Sequence, residues 1–157
     1  MDTKGAWVMH EREAETIERP SLRLLADSGH TGGALGANRL SLEAGAAGAR
    51  PHFHERSAEA FFVISGSLRM LIGTELVTVE AGGYAVVLPG VHHAFSAGAE
   101  SAADVLVTIA PGVERFEYFR QLPDVLAGRL PEAEVAAMHE RYDVHFVPSP
   151  AWDAERG

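Results

Sequence analysis

Between Ser21 and Ala110 the chain is written as nine short apolar-rich runs broken by Gly, Pro, Asn or Asp, and that rhythm most limits what it can fold into. The runs are SLRLLAD, ALGANRLSLEA, RPHFH, EAFFVIS, SLRMLIG, ELVTVEA, YAVVLP, HHAFSA and ADVLVTIA. They are strand-sized, bounded by turn residues, and spaced as in a barrel or sandwich. An all-β fold of antiparallel strands is expected, with hairpin turns at Ser65-Gly66-Ser67 and Gly73-Thr74, where Gly relieves the steric penalty of positive φ. After Pro111 the texture changes. VERFEYFRQLPDVLAG and LPEAEVAAMHERYDV carry apolar residues three and four apart with prolines near their edges, so two helices are expected, followed by a tail, HFVPSPAWDAERG, lying along the surface. The expected organisation is one domain over residues 1–157, with a barrel core at about 21–110 and a helical C-terminal extension at about 113–157. Trp7 and Val8 are expected to add a strand or to reach a second subunit.

Composition narrows the function. A chain of 157 residues with 46% hydrophobic and 22% charged residues has room for one core and the make-up of a globular protein. The net charge of -9 argues against nucleic acid, whose phosphates require clustered Lys and Arg. With no cysteine, thiolate metal sites, thiol nucleophiles and disulfides are excluded, and any metal must rest on nitrogen and oxygen donors. The charged N-terminal stretch lacks the apolar core of a secretory signal, and no window approaches a membrane span, so a cytoplasmic location without membrane contact is expected.

Within this pattern one stretch stands out, HFHERSAEAFFVISG at residues 52–66. Side chains alternate faces along a strand, so His52 and His54 project together while Phe53 faces away. Glu59 has the same parity as Phe61 and Val63 and can enter the same cavity if its strand pairs beside the first. A third imidazole comes from LPGVHHAF, where His92 and His93 point to opposite faces and only one can serve the site easily. Three imidazoles and a carboxylate suit one divalent transition ion, Fe, Mn, Ni, Cu, Co or Zn, without selecting among them.

These residues resemble the cupins. His52, His54, Glu59 and Gly66 fit the first cupin motif, in which a Gly, five residues on, leads to His-x-His, then Glu and a closing Gly; the leading Gly position is Ala46. Gly82, Gly90 and His93 fall in register with the second motif, although Leu88 stands at its usual Pro and Ala97 at its usual Asn. The register selects His93 as ligand and leaves His92 as a neighbour at the rim. The resemblance implies a cupin (double-stranded β-helix, or jelly-roll) barrel with short C-terminal helices and a metal held by His52, His54, Glu59 and His93. It is closest to small single-domain quercetin 2,3-dioxygenase-like proteins, over roughly Ala14 to Trp152. That subtype implies a dioxygenase acting on an enolic or aromatic small molecule with dioxygen, Glu59 being both ligand and general base; a homodimer follows from the wider family.

Two other functions fit the same residues: Lewis-acid isomerisation, cyclisation, lyase chemistry or hydrolysis of a small metabolite, and metal or ligand binding without turnover. His10, His30, His139 and His145 read as ordinary polar residues, and Glu55, Arg56 and Arg69 as solvated. Phe61, Val63, Met70, Ile72 and Phe95 have the parity of an interior lining.

Overall fold

The computed structural model describes residues 4–156. Ten strands, three α-helices and two single 3-10 turns follow one another along it. The strands are β1 (Glu15–Ile17), β2 (Leu22–Ala26), β3 (Gly36–Leu42), β4 (His52–Phe53), β5 (Ala58–Ile72), β6 (Glu75–Glu80), β7 (Tyr84–Val87), β8 (His93–Ala97), β9 (Ala103–Ala110) and β10 (His145–Phe146). Helices α1 (Phe116–Leu126), α2 (Glu132–Arg141) and α3 (Pro150–Arg156) make up most of the rest of the C-terminal part. All pairings are antiparallel.

The expected jelly-roll barrel takes the form of two sheets that share β5. The first half of β5 lies between β7 and β9, in a sheet that continues through β3 and β2 to β1. Its second half lies between β6 and β8, in a sheet that continues through β4 to β10. Among the described residues the pairing path does not return on itself. A double sheet of this kind is the jelly-roll solution to burying one face of each sheet.

The sharing of β5 overturns one expected turn. Ser65-Gly66-Ser67 is no hairpin: β5 runs through it with a bulge between Val63 and Ser65, so EAFFVIS and SLRMLIG are one strand. The extra residue switches parity. Glu59, Phe61 and Val63 are buried before it, Leu68 and Met70 after it. Gly66 has φ +73°, and a Cβ there would stand 1.7 Å from the Ala102 carbonyl oxygen. Gly66→Ala is therefore expected to destabilise the fold by about 2–3 kcal/mol, measurable as a lower urea midpoint with unchanged m-value. The Gly73-Thr74 hairpin is present, joining β5 to β6.

Apolar residues from both sheets meet between them. Leu24, Leu40, Phe61, Val63, Leu68, Met70 and Val105 are almost fully enclosed, each contributing roughly 1.5–3 kcal/mol of transfer free energy. Alternation along β9 is regular, with Ala103, Val105, Val107 and Ile109 buried. Ile72 and Phe95 also join this core, as their parity suggested.

The helices bind this frame. Phe116, Phe119 and Leu122 of α1 pack on the main core, and Tyr118 joins Met138, Tyr142 and Val144 in a second cluster. Pro123 sits inside α1 and not at an edge, leaving one helical amide bond unmade. The tail forms α3, an element the sequence reading left as surface chain; its Trp152 covers Leu71 and Ala94 on the outer side of β5 and β8. Trp7 forms an isolated β-bridge, and its indole donates to the Leu25 carbonyl at 2.8 Å and stacks on His30 at 3.8 Å. Arg69, expected to be solvated, is tied to Glu155 at 2.7 Å. No helix among the described residues is long and apolar enough to cross a membrane.

Candidate metal centre

The four residues singled out by spacing converge. His52 ends up cross-strand from His93, which opens β8, and His54 follows β4 immediately. Glu59 does not come from a strand beside them. It reaches across the gap from the other sheet, where its strand neighbours are Val87 and Ile109. All four are buried: His52 3%, His54 2%, Glu59 7% and His93 1% exposed. Their candidate ligand atoms lie within 4.8 Å of one another.

Backbone carbonyls set the protonation of the rings. His52 Nδ1 lies 2.6 Å from the Arg50 oxygen, His54 Nδ1 2.6 Å from the Asp143 oxygen and His93 Nδ1 2.9 Å from the Val91 oxygen. A carbonyl can only accept, so each Nδ1 carries a proton and each neutral ring presents a bare Nε2 inward. Those Nε2 atoms stand 4.0, 3.0 and 2.8 Å from Glu59 Oε2. Four acceptors facing one another need a positive charge between them. Three imidazolium rings with centroids 4.2–5.4 Å apart would repel, whereas one divalent ion engages all four donors at once. Donors about 2.1 Å from a shared centre stand ~3 Å apart at right angles and ~4.2 Å apart across it, which these spacings resemble. The donor set therefore fits a divalent transition ion.

Burial lowers the His52 pKa to about 3, with help from His93 and against the pull of Glu59. At Glu59 burial acts upward, but in the metal-free chain His54 and His93, where their rings are protonated, outweigh it and hold the carboxyl well below its ordinary range. Both groups bind protons less readily folded than unfolded. Their stabilisation is complete above about pH 6.5, the unfolded imidazole value, and declines as pH falls toward 3. Thermal melting of the metal-free chain should accordingly fall on acidification through this window, most simply read by calorimetry at stepped pH.

Asp143, which sequence reasoning missed, supports the centre from the C-terminal part. Its carbonyl orients His54, while its carboxylate accepts the amides of Glu55 and Arg56 at 2.9 and 3.0 Å and His145 Nε2 at 3.0 Å. It is 1% exposed at φ 57°, a conformation Asp tolerates better than most residues. The only sequence signal was the RYDV segment, whose distance from His54 hides the contact. Asp143→Ala is expected to weaken metal affinity about 10- to 100-fold, measured by competition with a chelating dye. His145 is held by Asp143 and stacks on Phe53, whose ring also stacks on His92. His92 thus lies outside the ligand group, on the outward side of β4.

Tyr118 of α1 is buried with Met138, Tyr142 and Val144. Burial pushes its phenol up, and Arg115, Arg50 and Glu59 all lie near enough to act on it. A cavity of about 340 Å³ does not contain the four residues. It lies behind Phe146, whose ring is 5.8 Å from His52, and is lined by Arg50, Phe95 and Trp152 among others.

Residues 38–109 match the family model described as a cupin domain. The fold is a cupin fold. An RmlC-like cupin from Shewanella frigidimarina NCIMB 400 shares it at TM-score 0.60 and 19% identity, over 69% of this chain and 94% of that one. A variant of Streptomyces PAC13 with uridine aligns at TM-score 0.56 and 21% identity, over 73% of this chain and 87% of that one. Pac13 is described as a nucleoside dehydratase. A cupin protein from Bacteroides fragilis is 23% identical at TM-score 0.47, over 49% of this chain, and this chain spans 65% of that protein's length. No curated protein matches the sequence. The domain match and the shared fold support the cupin superfamily, and at these identities the structural likeness speaks for the fold alone.

Proposed function

We propose that this cupin holds one divalent transition metal at His52, His54, Glu59 and His93 and oxidises an enolic or aromatic small molecule with dioxygen, in the manner of a quercetinase. The observation that carries the metal is the set of three Nδ1-tethered imidazoles turned toward one buried carboxylate. When bound there, a redox-capable divalent ion supplies Lewis acidity and one-electron chemistry. The chain supplies the rest. Glu59 is in its proton-accepting form at neutral pH, so an enol O–H placed against it gives its proton to a carboxylate oxygen, leaving an enolate. The carbonyl tethers keep each imidazole from rotating as that charge develops. Phe61, which is fully buried and meets His93 and Phe95 edge-on, helps keep water from a reactive enolate.

A second reading keeps the metal and Glu59 but needs no oxygen: elimination or cyclisation of a small metabolite. It is favoured by the fold shared with a nucleoside dehydratase. The separating experiment is metal analysis of the purified chain with an oxygen electrode and a flavonol panel, repeated under each candidate metal. Metal-dependent oxygen uptake supports the first reading, turnover without uptake transfers support to the second, and a chain that takes up no metal sinks both.

The homodimer rests on a separate feature. Edge strand β7 exposes Tyr84 and Val86, with Leu88 following, beside Phe62 and Ile64 of β5, an apolar outer face that a second copy would cover. Val86→Glu is expected to shift the light-scattering mass from dimer to monomer; a monomeric parent chain would remove this reading.

A further inference from the structure

The tail that follows β10 encloses a space that the metal centre does not use. Its last pairing with the chain entering β4 is the Val147 amide donating to the Pro51 carbonyl at 3.0 Å. Pro148 and Pro150 have no amide to donate, so the ladder stops there and the tail swings away. It forms α3, is held by Trp152 against Leu71 and Ala94, and returns at Arg156, whose guanidinium reaches the Gly45 carbonyl at 3.5 Å. The opposite edge is fixed as well. Gly48 donates to the Phe95 carbonyl at 3.1 Å, and the Phe95 amide donates to the Ala49 carbonyl at 3.2 Å. Between these two edges lies the cavity of about 340 Å³. One water takes about 30 Å³ of liquid, and small-molecule sites begin at about 300 Å³, so the cavity is large enough for a ligand.

The walls indicate which ligand. Ala47, Gly48 and Ala49 supply a low wall of small residues, and a Cβ at Gly48 would stand 2.4 Å from the Phe95 ring. Phe95, Phe146 and Trp152 supply rings. Arg50 and Arg156 line the same cavity with Asp153 as its acid, two positive charges against one negative in a chain of net charge -9. The Arg50 guanidinium lies 4.4 Å over the Phe146 ring. Among the described residues neither arginine has a carboxylate within ion-pair distance, and both are exposed. Aromatic walls beside uncommitted guanidinium groups match a flat ring bearing a carboxylate. The metal ligands do not line this space. Phe146 stands 5.8 Å from His52, and Phe61 lies between Phe95 and His93.

We infer that this cavity is a second small-molecule site, which takes an aromatic carboxylate with its ring among Phe95, Phe146 and Trp152 and its charge toward Arg50 and Arg156. The inference goes beyond the metal-enzyme reading and does not depend on it.

The test uses phenylacetate and its neutral counterpart phenethyl alcohol on the full chain as purified. Trp7 and Trp152 are the two tryptophans, so a nitrogen–proton NMR spectrum carries two indole signals, which Trp7→Phe assigns. Phenylacetate should shift the Trp152 signal and leave that of Trp7 in place, and it should bind about 3- to 10-fold more tightly than phenethyl alcohol, a modest preference because exposed arginines are screened. The double variant Arg50→Gln, Arg156→Gln should bind the two probes within about twofold of each other. Ala47→Phe, which puts a ring into the cavity, should lose the Trp152 shift while keeping the metal content of the parent chain. No Trp152 shift at about 20 mM phenylacetate, equal affinity for both probes, a preference retained in the double variant, or a shift retained in Ala47→Phe would overturn the inference. Repeating the titration after removal of metal separates this site from the metal centre: a Trp152 shift that persists supports the cavity site, and one that disappears with the metal assigns the carboxylate to the ion and overturns it.

Discussion

Replacing His93 by Ala is expected to cut metal affinity about 100- to 1,000-fold, while replacing His92 by Ala leaves it near that of the parent chain. The magnitude follows from the free energy of a four-donor site: about 10–16 kcal/mol divided over four donors is about 2.5–4 kcal/mol each. The contrast between neighbours follows from the strand. His93 is 1% exposed with Nε2 at 2.8 Å from Glu59, whereas His92 is exposed and its ring stacks 5.3 Å from Phe53. A shift of one residue in register would exchange the two faces. The check is metal per chain by plasma emission after dialysis, together with chelator competition. His52→Ala and His54→Ala should follow His93→Ala. Equal loss in the His92 and His93 variants would mean that the site is assembled otherwise than this geometry indicates, and retention of metal by the His93 variant would remove it from the ligand set.

That contrast also shows what kind of information the sequence held. His52, His54 and Glu59 could be grouped because strand parity and a short spacing are local properties, and the Pro89-Gly90 turn marked the entry to His93. The Gly90 amide donates to the His54 carbonyl at 2.7 Å, so this turn is part of the centre's own scaffold. Ser65-Gly66-Ser67 misled because a glycine with positive φ serves a hairpin and a strand that changes sheets equally well, and only the distant Ala102 carbonyl decides between them. The same strand crossing brings Glu59 to the imidazoles from the opposite sheet, which no local pattern reveals. Asp143 and Arg115 were hidden more deeply. Asp143 meets Glu55 88 residues away, and Arg115 meets Asp27 at the same separation, so each contact depends on how α1 and α2 return over the sheets. The short α3 escaped notice because its seven residues are held by Trp152 against Leu71 and not by a helical pattern of their own.

Glu59→Gln tests the chemistry in a way that ligand removal cannot. The amide is nearly the shape of the carboxylate and keeps one oxygen that can face the metal, so the variant should retain folding and much of the metal. It loses the negative charge and the ability to take up a proton. A positioned general base contributes about 10²- to 10⁴-fold, and turnover in the variant is expected to fall about 1,000-fold or more. The low proton affinity of Glu59 sharpens this expectation. Its carboxyl lies well below the ordinary range, so the acid side of the rate profile should not be set by Glu59 until that region. Such a carboxylate is a weak base, sufficient for an enol already made acidic by a neighbouring divalent charge and insufficient for an unactivated carbon acid. The distinction bears on substrate class: deuterium at an exchangeable enol position should leave a solvent isotope effect on turnover, while deuterium on carbon should leave none. Full turnover by a metal-loaded Glu59→Gln chain would confine Glu59 to holding the ion and move the proton transfer to another group.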